Sequence, residues 1–125
     1  MTNGQTPNSK KYKNDIHKRA YNFAIAVIKF TRKLPNTIEV DILKRQVIRS
    51  ATSIAANLQE ADGAKTRQEF RHSVSISKKE AKETKLWLRM ICELYPITKN
   101  EAVLLINECE EIIKILATIV IKTES

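Results

Sequence analysis

Four stretches of the chain repeat apolar residues every three or four positions, and short breaks at Pro35, Gly63 and Pro96 divide them. In the first, Ile16, Ala20, Phe23, Val27, Phe30 and Leu34 follow a 4-3-4-3-4 rhythm, the seam of a helix packed in a bundle. Asn14 or Asp15 is placed to cap its start, and the helix should end at Leu34, before Pro35. The second runs from about Val40 to Asp62 and turns Leu43, Val47, Ala51, Ile54, Leu58 and Ala61 inward. The third carries Phe70, Val74, Ser77, Ala81, Thr84, Leu88 and Ile91, and Tyr95-Pro96 stops it. The fourth, from about Lys99 to Lys122, carries Ala102, Leu105, Cys109, Ile112, Leu116 and Ile119. Connections this short make successive helices antiparallel. The prediction is an all-α, antiparallel up-down four-helix bundle over residues 14–123. Residues 1–13, with Gly, Pro, Asn and Lys and a single aromatic, are expected to form a flexible basic tail.

The polar positions refine this picture. Small residues Ala51, Ser53, Ala55, Ala56 and Ala61 alternate with Ile54 and Leu58, which lets a neighbouring helix approach closely. Arg49, Ser53, Asn57 and Glu60 form one stripe beside them, and Lys79, Glu80 and Glu83 flank the third seam. We read Arg49, Ser53, Asn57, Glu60, Glu80 and Glu83 as a structural polar network in which Arg49 pairs with a carboxylate of the third helix. Gly63 is placed as a C-cap, where positive φ would carry no penalty. Thr66-x-x-Glu69 and Thr98-x-x-Glu101 read as capping boxes opening the third and fourth helices. Ile25 and Ile28 on the first helix, and Ile106, Ile113, Val120 and Ile121 on the fourth, exceed what one seam requires and predict a subunit interface.

The run Ser53-Ile54-x-Ala56-Asn57-x-x-Glu60-Ala61, then Phe70, then Lys79-Glu80-Ala81-x-Glu83-Thr84-x-x-Trp87-Leu88, resembles the bacterial four-helix-bundle proteins encoded in intervening sequences of 23S rRNA genes. The resemblance is most specific over residues 47–91. It implies an up-down bundle, ring-shaped homo-oligomers with pentamers among relatives, and no established enzymatic reaction. A related branch, the accessory variability determinant proteins of diversity-generating retroelements, implies the alternative of a partner that binds a reverse transcriptase and nucleic acid.

Charge separates the remaining function classes. The chain has 125 residues, enough for one domain, and a formal charge of +8, which suits a polyanionic partner such as RNA. The excess is uneven: the first 95 residues carry 19 basic against 9 acidic side chains, the last 30 carry 3 against 5. Candidate nucleic-acid residues are therefore Lys18, Arg19, Lys29, Arg32 and Lys33 on the first helix and Lys78, Lys82, Lys85 and Arg89 on the third. Only seven aromatic side chains occur, several required by the core, so binding directed at the phosphate backbone is expected over base reading. Glu69-x-x-His72 has the spacing of a ferritin-like metal motif, but that chemistry needs a second such pair, and the only other histidine, His17, has no Glu three residues before it. No nucleophile, base and orienting group occur together. The expectation is a non-catalytic, homo-oligomeric protein without cofactor, bound to RNA or other nucleic acid or to a protein partner. Cys92 and Cys109 lie inside helical patterns without metal-ligand spacing, and no signal peptide or membrane span is evident, which predicts a reducing, cytoplasmic setting.

Overall fold

A computed structural model of the protein describes residues 7–124, with side chains from residue 16 onward. It consists of α1 (Pro7–Thr31), α2 (Ile38–Asp62), α3 (Arg67–Leu94) and α4 (Lys99–Lys122), with a single 3-10 turn, Pro96–Thr98, before α4. Each helix packs on its two sequence or chain-end neighbours: α1 on α2 and α4, α3 on α2 and α4. Among the described residues the α1 and α3 backbones do not approach one another closely, so the four helices stand at the corners of a square with α1 diagonal to α3. The all-helical up-down bundle expected from the seams is the observed fold, and every seam residue is buried except Phe70 and Ile119, which are half-buried at its ends.

The helix boundaries differ from expectation at the N-terminus. α1 begins at Pro7, ahead of Asn14 and Asp15. Proline suits a first-turn position, where its missing N–H has no partner to lose, and nothing in Asn8–Lys13 interrupts the helix. Part of the expected tail, residues 1–6, lies outside the described residues. At the other end α1 tightens into successive i→i+3 bonds that run on to Leu34, whose N–H donates to Thr31 at 3.2 Å. Thr37 then caps α2, its hydroxyl accepting from the Val40 amide at 3.2 Å.

Three caps carry different chemistry. Thr66 caps α3 as expected, accepting from the Glu69 amide at 3.0 Å. The Glu69 carboxylate reaches back one residue further than a capping box requires, to the Lys65 amide at 3.0 Å. Thr98 does not cap α4: Pro96 draws it into the 3-10 turn, and its hydroxyl donates to the Tyr95 carbonyl at 2.6 Å. Gly63 does end α2, yet with φ −90°, so its position needs no left-handed backbone.

The α2–α3 contact is the most extensive in the bundle. Ser50, Ala51, Ser77, Ala81 and Thr84 are fully buried there. The Thr84 hydroxyl donates to Ser50 Oγ at 2.7 Å, and Ser77 donates to the Ile54 carbonyl at 2.8 Å, so the buried hydroxyls are satisfied across the interface. On the α4 side, Cys109 is buried and its thiol donates to the Ala81 carbonyl at 3.1 Å. Burial pushes the Cys109 thiol up to about 12, whereas Cys92 is only half-buried.

Two outcomes are expected. Gly63→Ala should stabilise the protein by about 0.4–1 kcal/mol in chemical denaturation, because φ is ordinary, a Cβ would lie 3.7 Å from the Glu60 carbonyl, and alanine restricts the unfolded chain. In a thiol-reagent titration at pH 8, Cys92 should react in the native protein, while Cys109, almost wholly protonated, should react only after unfolding.

Candidate nucleic-acid interface

The polar stripe of α2 meets α3 at the rim of their close contact. Arg49 Nη1 donates to Glu80 at 3.3 Å and Nη2 to Glu83 at 2.8 Å, so one guanidinium spans both carboxylates. The Glu80 side chain is 14% exposed and that of Arg49 49%, which makes the pair a half-buried clamp. Asn57 turns back on its own helix and donates to the Ser53 carbonyl at 2.8 Å, and Glu60 points to solvent. Of the six residues in the sequence-derived network, then, Arg49, Glu80 and Glu83 form one cluster, Ser53 and Asn57 a separate local bond, and Glu60 belongs to neither.

The nine candidate cations divide in the same way. Arg19 donates from Nε and Nη2 to both oxygens of Glu108, at 3.0 and 2.7 Å. Lys33 donates to both oxygens of Glu101, at 3.1 and 3.0 Å. Lys85 pairs with Glu110 at 2.9 Å, and that hydrogen bond and charge hold the Glu110 carboxyl below the usual carboxylate range. Glu101, Glu108 and Glu110 of α4 thus face its two neighbours and neutralise one flank of α1 and one of α3. Lys18, Lys29, Arg32, Lys78, Lys82 and Arg89 have no ion partner among the described residues. Because α1 and α3 are diagonal, these six form two separate cationic faces and not one patch.

A feature that the sequence reading passed over is the distribution of exposed apolar side chains. Ile38, Ile42, Leu86, Met90, Leu94, Ile97, Val103 and Leu104 all lie toward the end of the bundle where α1 turns into α2 and α3 into α4. Ile97, at the tip of the 3-10 turn, is 97% exposed. Of the residues predicted to form an interface, Ile28, Ile106, Ile113 and Val120 are half-buried, whereas Ile25 and Ile121 are exposed on different helices. The signal was available in the i, i+4 spacings of Ile38/Ile42 and Leu86/Met90/Leu94, which fall outside the seams.

The metal-motif residues serve other purposes. Glu69 is spent on the Lys65 amide, and His72 is exposed. His17 Nε2 lies 2.9 Å from the Asp62 carboxylate and 3.2 Å from the Leu58 carbonyl, tying α1 to the end of α2. Among the described residues no group of three or more His, Cys, Asp or Glu side chains is arranged to hold a metal ion. Nor is any described helix long and apolar enough to cross a membrane.

The exposure of the clamp sets its expected weight. Arg49→Ala should destabilise the protein by roughly 1–2 kcal/mol, between a surface ion pair and a buried one, because Glu80 is stranded while Glu83 can turn to water. Chemical denaturation of Arg49→Ala, compared with the Arg49→Ala/Glu80→Gln double variant, should show part of the loss restored.

Comparison with known proteins places this geometry. The chain is similar to a protein of unknown function from the S23 ribosomal protein family of Bacteroides thetaiotaomicron, with 31% identity over 86% of this chain and 96% of that one, at a TM-score of 0.79. No curated protein matches it. The profile of the 23S rRNA-intervening sequence protein matches residues 12–118, from the first half of α1 to the penultimate turn of α4 and so across all four helices of the bundle. The chain belongs to the 23S rRNA-intervening sequence protein family.

Proposed function

We propose that the protein is a non-catalytic, homo-oligomeric helical scaffold that associates with RNA or other nucleic acid through its phosphate backbone. The observation that carries this reading is the pair of cationic faces on α1 and α3 that have no ion partner among the described residues, while α4 neutralises the flanks beside it. A formal charge of +8 gives the long-range attraction that such binding requires. Assembly is supported by the apolar side chains at one end of the bundle, since large exposed apolar groups gathered on one region mark an association surface. A closed ring, pentameric by the family resemblance, would multiply the charge of one subunit and repeat its cationic faces by symmetry. The reading needs no reaction.

Two measurements test it. Sedimentation at micromolar concentration should give a closed oligomer, and Ile42→Glu with Leu94→Glu should shift it toward smaller species; a monodisperse wild-type monomer overturns the assembly. Titration of two unrelated RNAs of equal length should give similar affinities that fall steeply and linearly in log salt. Binding of neither RNA at low salt overturns the nucleic-acid reading, and leaves the apolar end to a protein partner, with the reverse transcriptase implied by the retroelement resemblance as the first to try.

A further inference from the structure

The two cationic faces are chemically different. On α1, Lys18 and Lys29 lie eleven positions apart, and exposed Tyr21 and Ile25 stand between them. On α3, Arg71, Ser75, Lys78, Lys82, Lys85 and Arg89 follow a 4-3-4-3-4 spacing and so form a stripe along the helix on its α4 side. From Arg71 to Arg89 the stripe extends about 27 Å, at 1.5 Å per residue. It contains five cations, one hydroxyl and no carboxylate.

The surrounding structure keeps it so. Glu69 is held in the N-terminal cap of α3, Glu80 and Glu83 are drawn to the opposite flank by Arg49, and Glu93 marks the end of the stripe one turn beyond Arg89. Among the described residues Lys85 is the one stripe cation in an ion pair, with Glu110, whose charge also reaches Arg89. The Lys85 and Glu110 side chains are both a third or more exposed, so water and salt screen the pair and it yields readily to a phosphate. Arg71 has its guanidinium on the Thr123 carbonyl at 3.2 Å, a neutral acceptor that leaves its charge intact.

The stripe is built for a rigid polyanion. Proteins that bind single strands without sequence preference stack bases on exposed aromatic rings. Here Phe70 and Trp87, the aromatics of α3, are half-buried against the core, and the Trp87 indole nitrogen is fully enclosed. Tyr21, the exposed aromatic among the described residues, stands on the diagonal helix. A straight row of cations with no stacking platform gives a flexible strand little in return for the entropy lost in straightening it. A double helix is already straight and presents a denser line of phosphates. α3 is flanked by α2 and α4, so it meets that backbone with an edge and does not enter a groove.

Resting on the nucleic-acid reading above, we propose that the Arg71–Arg89 stripe of α3 contacts the sugar–phosphate backbone of a double helix, RNA or DNA, and that single strands bind more weakly. The test uses the full-length chain and anisotropy of labelled 20-residue RNA and DNA, each as a duplex and as a single strand, across a salt series. Lys78→Gln/Lys82→Gln/Arg89→Gln leaves the Lys85–Glu110 and Arg71–Thr123 contacts in place, and Lys18→Gln/Lys29→Gln/Arg32→Gln is its counterpart on α1; sedimentation confirms that both variants assemble as the wild type does. The α3 variant should weaken duplex binding at least tenfold and lower the log–log salt slope by about 2–3, at roughly 0.9 per lost phosphate contact, while the α1 variant changes affinity less than threefold. Either duplex binding ahead of its own single strand supports the proposal, and the tighter of the two duplexes names the source. Binding that survives the α3 substitutions, or single strands bound as tightly as duplexes, overturns the proposal but not the reading beneath it. Failure of every nucleic acid to bind at low salt overturns both.

Discussion

The close approach of α2 to α3 is the constraint on which the rest of the bundle depends. Ser50 and Ala51 face Ser77, Ala81 and Thr84 with no large side chain between them, and all five are buried. Hydroxyls rather than methyl groups at three of these positions make the contact directional. Ser77 must find the Ile54 carbonyl, or its buried hydroxyl is left without a partner at about 1–3 kcal/mol, whereas Thr84 and Ser50, which meet at 2.7 Å, also reach the Glu80 and Val47 carbonyls of their own helices. Sliding α3 by one turn would lose both bonds and the Arg49 clamp together, so dispersion, hydrogen bonding and charge specify the same register. The rest of the core is filled by larger groups such as Phe23, Phe30, Leu88 and Leu116, which fill space but fix no register of their own.

That register also decides where the charge goes. With Glu80 and Glu83 committed to Arg49, the α4-facing flank of α3 retains cations without carboxylates of its own, and among the described residues Glu110 is the one carboxylate that pairs with it. The acidic balance of the last 30 residues thus has a structural role that a charge count along the chain does not suggest. Glu101, Glu108 and Glu110 fasten α4 to α1 on one side and α3 on the other. α4 is therefore an internal counterion strip, and what it leaves uncovered defines the cationic faces.

The seams were legible because burial imposes a period on sequence, and the period survives in side chains as plain as Ala20 or Ser77. Arg49 was legible as well, since a cation beside a small-residue stripe has few carboxylates within reach. Thr66 could be read because its partner is three residues away. Thr98 could not, because Pro96 starts a competing turn and draws the hydroxyl backward to Tyr95. Gly63 misled in a different way: glycine permits positive φ, but permission is not use. The neutralisation of Arg19 by Glu108 joins residues 89 apart, and nothing local announces it. The same holds for the apolar end, where isolated side chains from three helices and a turn are brought together only by the fold.

Two features share α3: the apolar row Leu86, Met90 and Leu94 near its C-terminus, and the cationic stripe that ends beside that row at Arg89. In an assembly that buried the apolar end, equivalent cations would repel wherever neighbouring copies held them within about 8–10 Å, the range over which salt leaves charges unscreened. A polyanion lying along the stripes would remove that repulsion. By linkage, whatever the polyanion contributes to assembly, assembly contributes equally to the affinity for the polyanion. The two properties proposed for this chain, self-association and backbone binding, would then be coupled through one helix, and salt, which screens both the repulsion and the attraction, would act on them in opposite directions.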